Sequence, residues 1–99
     1  MADPKLSVRG AAVLRAFLDV APEELTGSEL MNSVGISSGT LYPLLSRFES
    51  AKWLTSRWEA GDPAKMGRPR RRYYRLTALG ANKARECIEL IVPGIWSRA

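Results

Sequence analysis

Histidine is missing from this 99-residue chain, and cysteine occurs once, as Cys87. Without an imidazole there is no Ser-His-Asp triad, no histidine proton shuttle and no histidine-bound zinc. A lone thiol closes no intramolecular disulfide and builds no thiolate metal cage, a cysteine usage that fits a reducing compartment. Long apolar runs are lacking too. None approaches the roughly 18 residues of a membrane span, and Met1-Ala2-Asp3-Pro4 does not read as a secretory signal. The acidic residues are scattered on helix surfaces, so no nucleophile–base pair or metal set assembles. These absences predict a cytoplasmic protein that is not an enzyme, holds no cofactor or metal and does not enter a membrane.

What is present is ordinary for one globular domain, 45% hydrophobic and 25% charged. The charge is unevenly spread. Residues 1–59 carry 6 Lys/Arg against 7 Asp/Glu, whereas residues 60–99 carry 9 against 3. Most of the excess lies in Lys65, Arg68, Arg70, Arg71, Arg72 and Arg75, with no acid among them. Cations packed this densely repel one another unless a polyanion neutralises them, which points to nucleic acid over a merely solvated loop.

Ser7 suits the N-cap of a helix running to about Val20, with Val13, Leu14, Phe17 and Leu18 on its apolar face. Leu25-Thr26 has the makings of a very short strand. Thr26-Gly27-Ser28-Glu29 then reads as a capping box opening a short helix with apolar Leu30, Met31 and Val34. Gly35 supplies the left-handed stop. A third helix follows at once. Ser37 stands at its N-cap, Ile36 and Leu41 form a hydrophobic staple, and Leu41, Leu44, Leu45 and Phe48 repeat on one face to about Lys52. Two short helices joined by about three residues around a glycine make a helix-turn-helix.

The opposite face of the third helix carries Ser38, Gly39, Thr40, Tyr42, Pro43, Ser46 and Arg47, with no acid before Glu49. Small, hydroxylated residues at a helix N-terminal end can approach phosphates closely. After Lys52 the period shifts from 3.6 to 2. Residues 53–59 and 72–76 are rich in strand formers, and the eleven residues 60–70 predict a mobile basic loop carried by two antiparallel strands. Thr77 caps a last helix to about Val92, with Ala84, Cys87, Ile88 and Ile91 on one stripe, before Pro93-Gly94 breaks it. Ile95 and Trp96 follow, and a partner subunit is their expected cover.

The fold expected is therefore α+β, mostly α: a winged helix-turn-helix with a two-stranded β-wing and a C-terminal helix. Residues 1–77 form the DNA-binding domain, with the recognition helix at about 38–52 and the wing at about 53–76. Residues 78–99 form a dimerisation helix and tail, in which Ala84, Cys87, Ile88, Ile91, Ile95 and Trp96 are the contact candidates.

Ser38-Gly39-Thr40-Leu41-Tyr42-Pro43-Leu44-Leu45-Ser46-Arg47-Phe48-Glu49 resembles the PadR family of bacterial transcriptional regulators. So do Trp53-Leu54-Thr55-Ser56-Arg57-Trp58-Glu59 and residues 68–77, which end in Tyr73-Tyr74-Arg75-Leu76-Thr77. The resemblance covers about residues 25–80. It implies a bacterial homodimer that represses transcription at a palindromic operator, with the recognition helix in the major groove and the wing on the flanking backbone or minor groove. It also implies that the C-terminal helix packs against its mate and the first helix. Some members of the family release DNA on binding a small aromatic or cationic effector. The chain departs from the family pattern at Gly27-Ser28, where Gly-Tyr is usual, and at Thr77-Ala78-Leu79-Gly80, where Thr-Pro-Glu-Gly is usual.

The residues leave several roles open. Arg47 suits bidentate contact with guanine, a phosphate or a surface carboxylate. Ser37, Ser38, Thr40 and Ser46 suit phosphates or bases, though Ser37 also suits a simple cap. Tyr42 suits DNA contact or packing. Arg68-Pro69 fits a narrow minor groove, while Lys65, Arg70, Arg71 and Arg72 are phosphate clamps of which one or two reach a given duplex. Trp53, Trp58, Tyr73 and Tyr74 serve to pin the wing to the helices, or to stack on single-stranded bases. Double-stranded DNA and a second copy of the chain are the expected partners. A protein- or RNA-binding module, or an architectural or phage-type DNA-binding protein without an effector, is the alternative.

Overall fold

The first helix takes the place its periodicity assigns. In the computed structural model, which describes residues 6–91, α1 (Val8–Val20) is capped by the Ser7 hydroxyl, which accepts from the Gly10 amide at 3.0 Å. Val13, Leu14 and Phe17 of this helix are fully buried. The strand β1 (Leu25–Thr26) leads directly into α2 (Gly27–Val34). The Thr26 hydroxyl accepts from the Glu29 amide, and Glu29 reaches back to the Thr26 amide at 2.9 Å, completing the capping box. Gly35 then turns the chain at φ +76°, a conformation that a side chain disfavours.

α3 (Ser38–Ser50) buries Leu41, Leu44, Leu45 and Phe48 and exposes the face opposite. Ser37 is its N-cap by backbone position, but its side chain makes no capping bond and lies 3.4 Å from the Thr40 hydroxyl instead. Pro43 sits inside the helix, where it lacks the amide that would bond the Gly39 carbonyl. β2 (Leu54–Trp58) and β3 (Arg72–Leu76) pair antiparallel, with Leu54 opposite Leu76 and Trp58 opposite Arg72. The sheet has three strands, in the order β1-β3-β2, because Leu25 pairs with Tyr74 and Thr26 with Tyr73. The two-stranded wing is thus anchored to the start of α2 by a third strand.

The loop expected between β2 and β3 contains structure of its own, α4 (Pro63–Met66). Asp62 caps it by accepting from the Ala64 amide at 3.0 Å, Pro63 supplies a preset first residue, and Gly67 ends it in the left-handed region. α5 (Ala78–Ile91) starts at Thr77, whose hydroxyl accepts from the Gly80 amide and donates to the Lys52 carbonyl at 2.6 Å. One threonine therefore caps α5 and ties it to the end of α3.

The core lies where α1, α3 and α5 meet the sheet. Trp53, fully buried, stacks on Phe48 with ring centroids 5.6 Å apart and planes 7° from parallel. Ala84 and Ile88 of α5 are 0% and 2% exposed, filling this same core beside α1. Their side of α5 is thus used within the chain, whereas the sequence placed it at a subunit interface. Pro93, Gly94, Ile95 and Trp96 lie outside the described residues.

Candidate nucleic-acid interface

The exposed face of α3 is built from the residues that its buried face leaves over. At about 100° per residue, Gly39, Pro43 and Ser46 fall nearly in line, with Tyr42 to one side and Arg47 to the other. Ser37, Ser38, Gly39, Tyr42, Pro43, Ser46 and Arg47 are all exposed, and Thr40 is half-buried. The ring of Tyr42 closes over Gly27, leaving no room for a Cβ there, so α3 rests on the first turn of α2 through its phenol. Glu49, the one acid on α3, lies on the wing side of this surface, nearly in line with Tyr42, and is engaged there. It accepts from the Ser56 hydroxyl at 2.5 Å and from the Arg72 guanidinium at 3.3 Å.

A cleft of about 610 Å³ separates this helix from the wing. Gly27, Tyr42, Trp58, Arg70, Arg71 and Arg72 are among its walls. Strand register decides which wing residues enter it. Ser56, Trp58, Arg72 and Tyr74 share the sheet face toward α3, whereas Thr55, Arg57, Tyr73 and Arg75 occupy the other. The Arg72 guanidinium lies 5.2 Å from the Trp58 ring centroid and 5.6 Å from that of Tyr74, and its Nε donates to Ser56. Burial raises the Tyr74 hydroxyl above its ordinary pKa, and nearby Arg72 partly offsets this.

The basic residues are not equivalent in their engagement. Arg68 donates to both oxygens of Glu59 at 2.7 and 2.9 Å, and the Arg71 amide donates to the same carboxylate at 3.2 Å. These bonds, Arg68 first and the Arg71 amide second, hold the Glu59 carboxyl down to about 2. Arg70 donates from Nε to the Gly61 carbonyl at 2.7 Å, which holds the side chain without cancelling its charge. Lys65, Pro69 and Arg71 are exposed. Arg68 and Arg72 are therefore largely wing braces, and Lys65, Arg70 and Arg71 are the open cations. On the far sheet face Arg57 forks onto Glu24 at 2.7 and 2.8 Å and lies over the Tyr73 ring. The guanidinium lowers the Glu24 carboxyl and is itself raised.

Of the four aromatics expected to pin the wing, Trp53 and Tyr74 are buried and Tyr73 is half-buried, whereas Trp58 is 60% exposed. Sequence reasoning also missed Glu49, Ser56 and Glu59 as partners of the arginines. Those pairings cross 9 to 23 residues of chain and follow only from the folding of the hairpin. Among the described residues no group of His, Cys, Asp or Glu could hold a metal ion, and no helix is long and apolar enough to cross a membrane.

A helix-turn-helix backed by a three-stranded sheet and a basic hairpin defines the winged-helix class of DNA-binding proteins. Within that class, the chain belongs to the PadR-like transcriptional regulator family, whose model matches residues 24–86. It is similar to the solved structure of a PadR-like transcription factor from Bacteroides fragilis, at 24% identity and a TM-score of 0.67, covering 90% of this chain and 86% of that one. MarR from E. coli in its apo form gives a TM-score of 0.71 at 19% identity, over 94% of this chain and 63% of that one. The circadian clock associated protein Pex from Anabaena gives 0.63 at 20% identity, over 96% and 86%. No curated protein matches the sequence.

Proposed function

We propose that the chain is a sequence-specific repressor that binds a palindromic operator in double-stranded DNA as a homodimer. The observation that carries this reading is the surface of α3. Its outward side is free of acid, its one carboxylate is bound to Ser56 and Arg72, and a basic hairpin stands beside it. A helix of this diameter fills a major groove about 12 Å wide. Gly39, Pro43 and Ser46 then face base edges, Tyr42 and Ser38 border them, and Arg70, Arg71 and Lys65 lie on phosphate or in the adjoining minor groove. Dimerisation falls to α5 and the residues after it, on the sides that Ala84 and Ile88 do not already bury.

Selection of binders from a random duplex pool tests the reading. The expected product is an inverted repeat whose half-sites are centred about one helical turn apart. Recovery of single half-sites, or of no consensus, contradicts it. One observation favours a second reading, since the exposed Trp58 ring beside arginines is a platform for single-stranded bases. Competition by single-stranded RNA stronger than by duplex DNA would select that reading.

A further inference from the structure

A second groove runs along α3 on the side away from the wing. Ser7, Arg9, Gly39, Thr40, Pro43 and Arg47 are among its walls, and its volume is about 620 Å³. We propose that this groove, between the start of α1 and the flank of α3, is a phosphodiester site in which Arg9 and Arg47 hold one DNA strand. The proposal rests on α3 lying in a major groove, and it deepens that reading by naming what grips the strand opposite the wing.

Three observations converge on it. First, a helix seated in a major groove has a sugar–phosphate backbone along each flank, and the wing serves only one of them. Tyr42 lines the cleft on the wing side, and Arg47 lines the groove on the α1 side. Arg47 therefore stands at the edge of the recognition surface, where the backbone runs, and not on its centre line. Second, Arg15, Arg57, Arg68 and Arg72 each have a carboxylate at 2.7–3.3 Å. Arg9 and Arg47 have no ion pair among the described residues, and the first turn of α1 holds no acid. Two guanidinium groups opening on one groove repel each other until an anion sits between them. Third, the Ser7 hydroxyl already accepts from the Gly10 amide, so its own proton is free to donate to a phosphate oxygen.

Among the roles that the sequence leaves open for Arg47, the proposal takes the phosphate contact, and it adds Arg9 to the interface. Its test is a salt titration of binding by the full chain to a selected duplex and to a scrambled one. Arg9→Ala and Arg47→Ala should each weaken binding to both duplexes by the same factor and reduce the slope of log K against log salt by about 0.9. Arg9→Lys and Arg47→Lys should keep the slope, because a phosphate takes either cation. Both side chains are exposed, so unchanged melting temperatures should accompany all four variants. Collapse of the selected-to-scrambled ratio in Arg47→Ala would make Arg47 a base reader and overturn the proposal. An unchanged slope in Arg9→Ala would overturn it equally. Failure of the unmodified chain to bind either duplex would instead remove the DNA-binding reading on which the proposal stands.

Discussion

At Gly80 a Cβ would be driven into the backbone carbonyl of Trp53, which is fixed by its bond from the Thr77 amide at 3.0 Å. Gly80→Ala should therefore destabilise the chain by about 3 kcal/mol, since the atoms it would meet are all Trp53 backbone and none is the flexible end of a side chain. A urea midpoint equal to that of the unmodified chain would contradict this packing. Glu59 makes a prediction of the opposite kind, visible only in acid. Its folded carboxyl titrates at about 2 against an ordinary 4.5. A depressed carboxylate adds stability above the higher value and loses it as pH falls toward the lower one. Stability should thus drop between about pH 4.5 and 2, and Glu59→Gln should flatten that drop. Superimposable profiles of urea midpoint against pH would show that the Arg68 fork does not hold the wing. Neither residue stands out in the sequence, because each owes its role to a partner brought near only by folding.

The helices and the two long strands are legible in the sequence because their periods are sustained, as at Leu41, Leu44, Leu45 and Phe48. Caps were legible for the same reason that they work: Ser7, Thr26 and Thr77 bond within three residues of themselves. The four residues of α4 are too few to display a helical period, although Asp62-Pro63 and Gly67 carry its start and stop. The stripe of Ala84 and Ile88 is apolar whether it faces α1 or a second subunit, so periodicity alone did not assign its destination. The wing's arginines repeat too densely to be told apart in sequence, and register with β2 separates braces from open cations. Arg70→Ala should consequently weaken binding to all duplexes alike and lower the salt slope, with its melting temperature unchanged. Arg72→Ala should lower the melting temperature as well, because it removes the guanidinium bonds to Glu49 and Ser56. Equal behaviour of the two variants in binding and melting would contradict the division.

At the scale of the whole molecule, α3 exposes a central line of small residues and is flanked by two clefts of similar volume. The family match at residues 24–86 supports a DNA-binding regulator, and the outward face of α3 and the basic hairpin support the proposal that this side meets the duplex. The central claim is that this surface recognises a particular duplex sequence twice, once from each subunit of a dimer. A footprint of the purified protein on the DNA upstream of its own gene, at physiological salt, tests that claim most directly. Protection of a two-fold repeat that is lost on a scrambled duplex is the predicted result. Absence of protection, or protection spread evenly over any duplex, would contradict it.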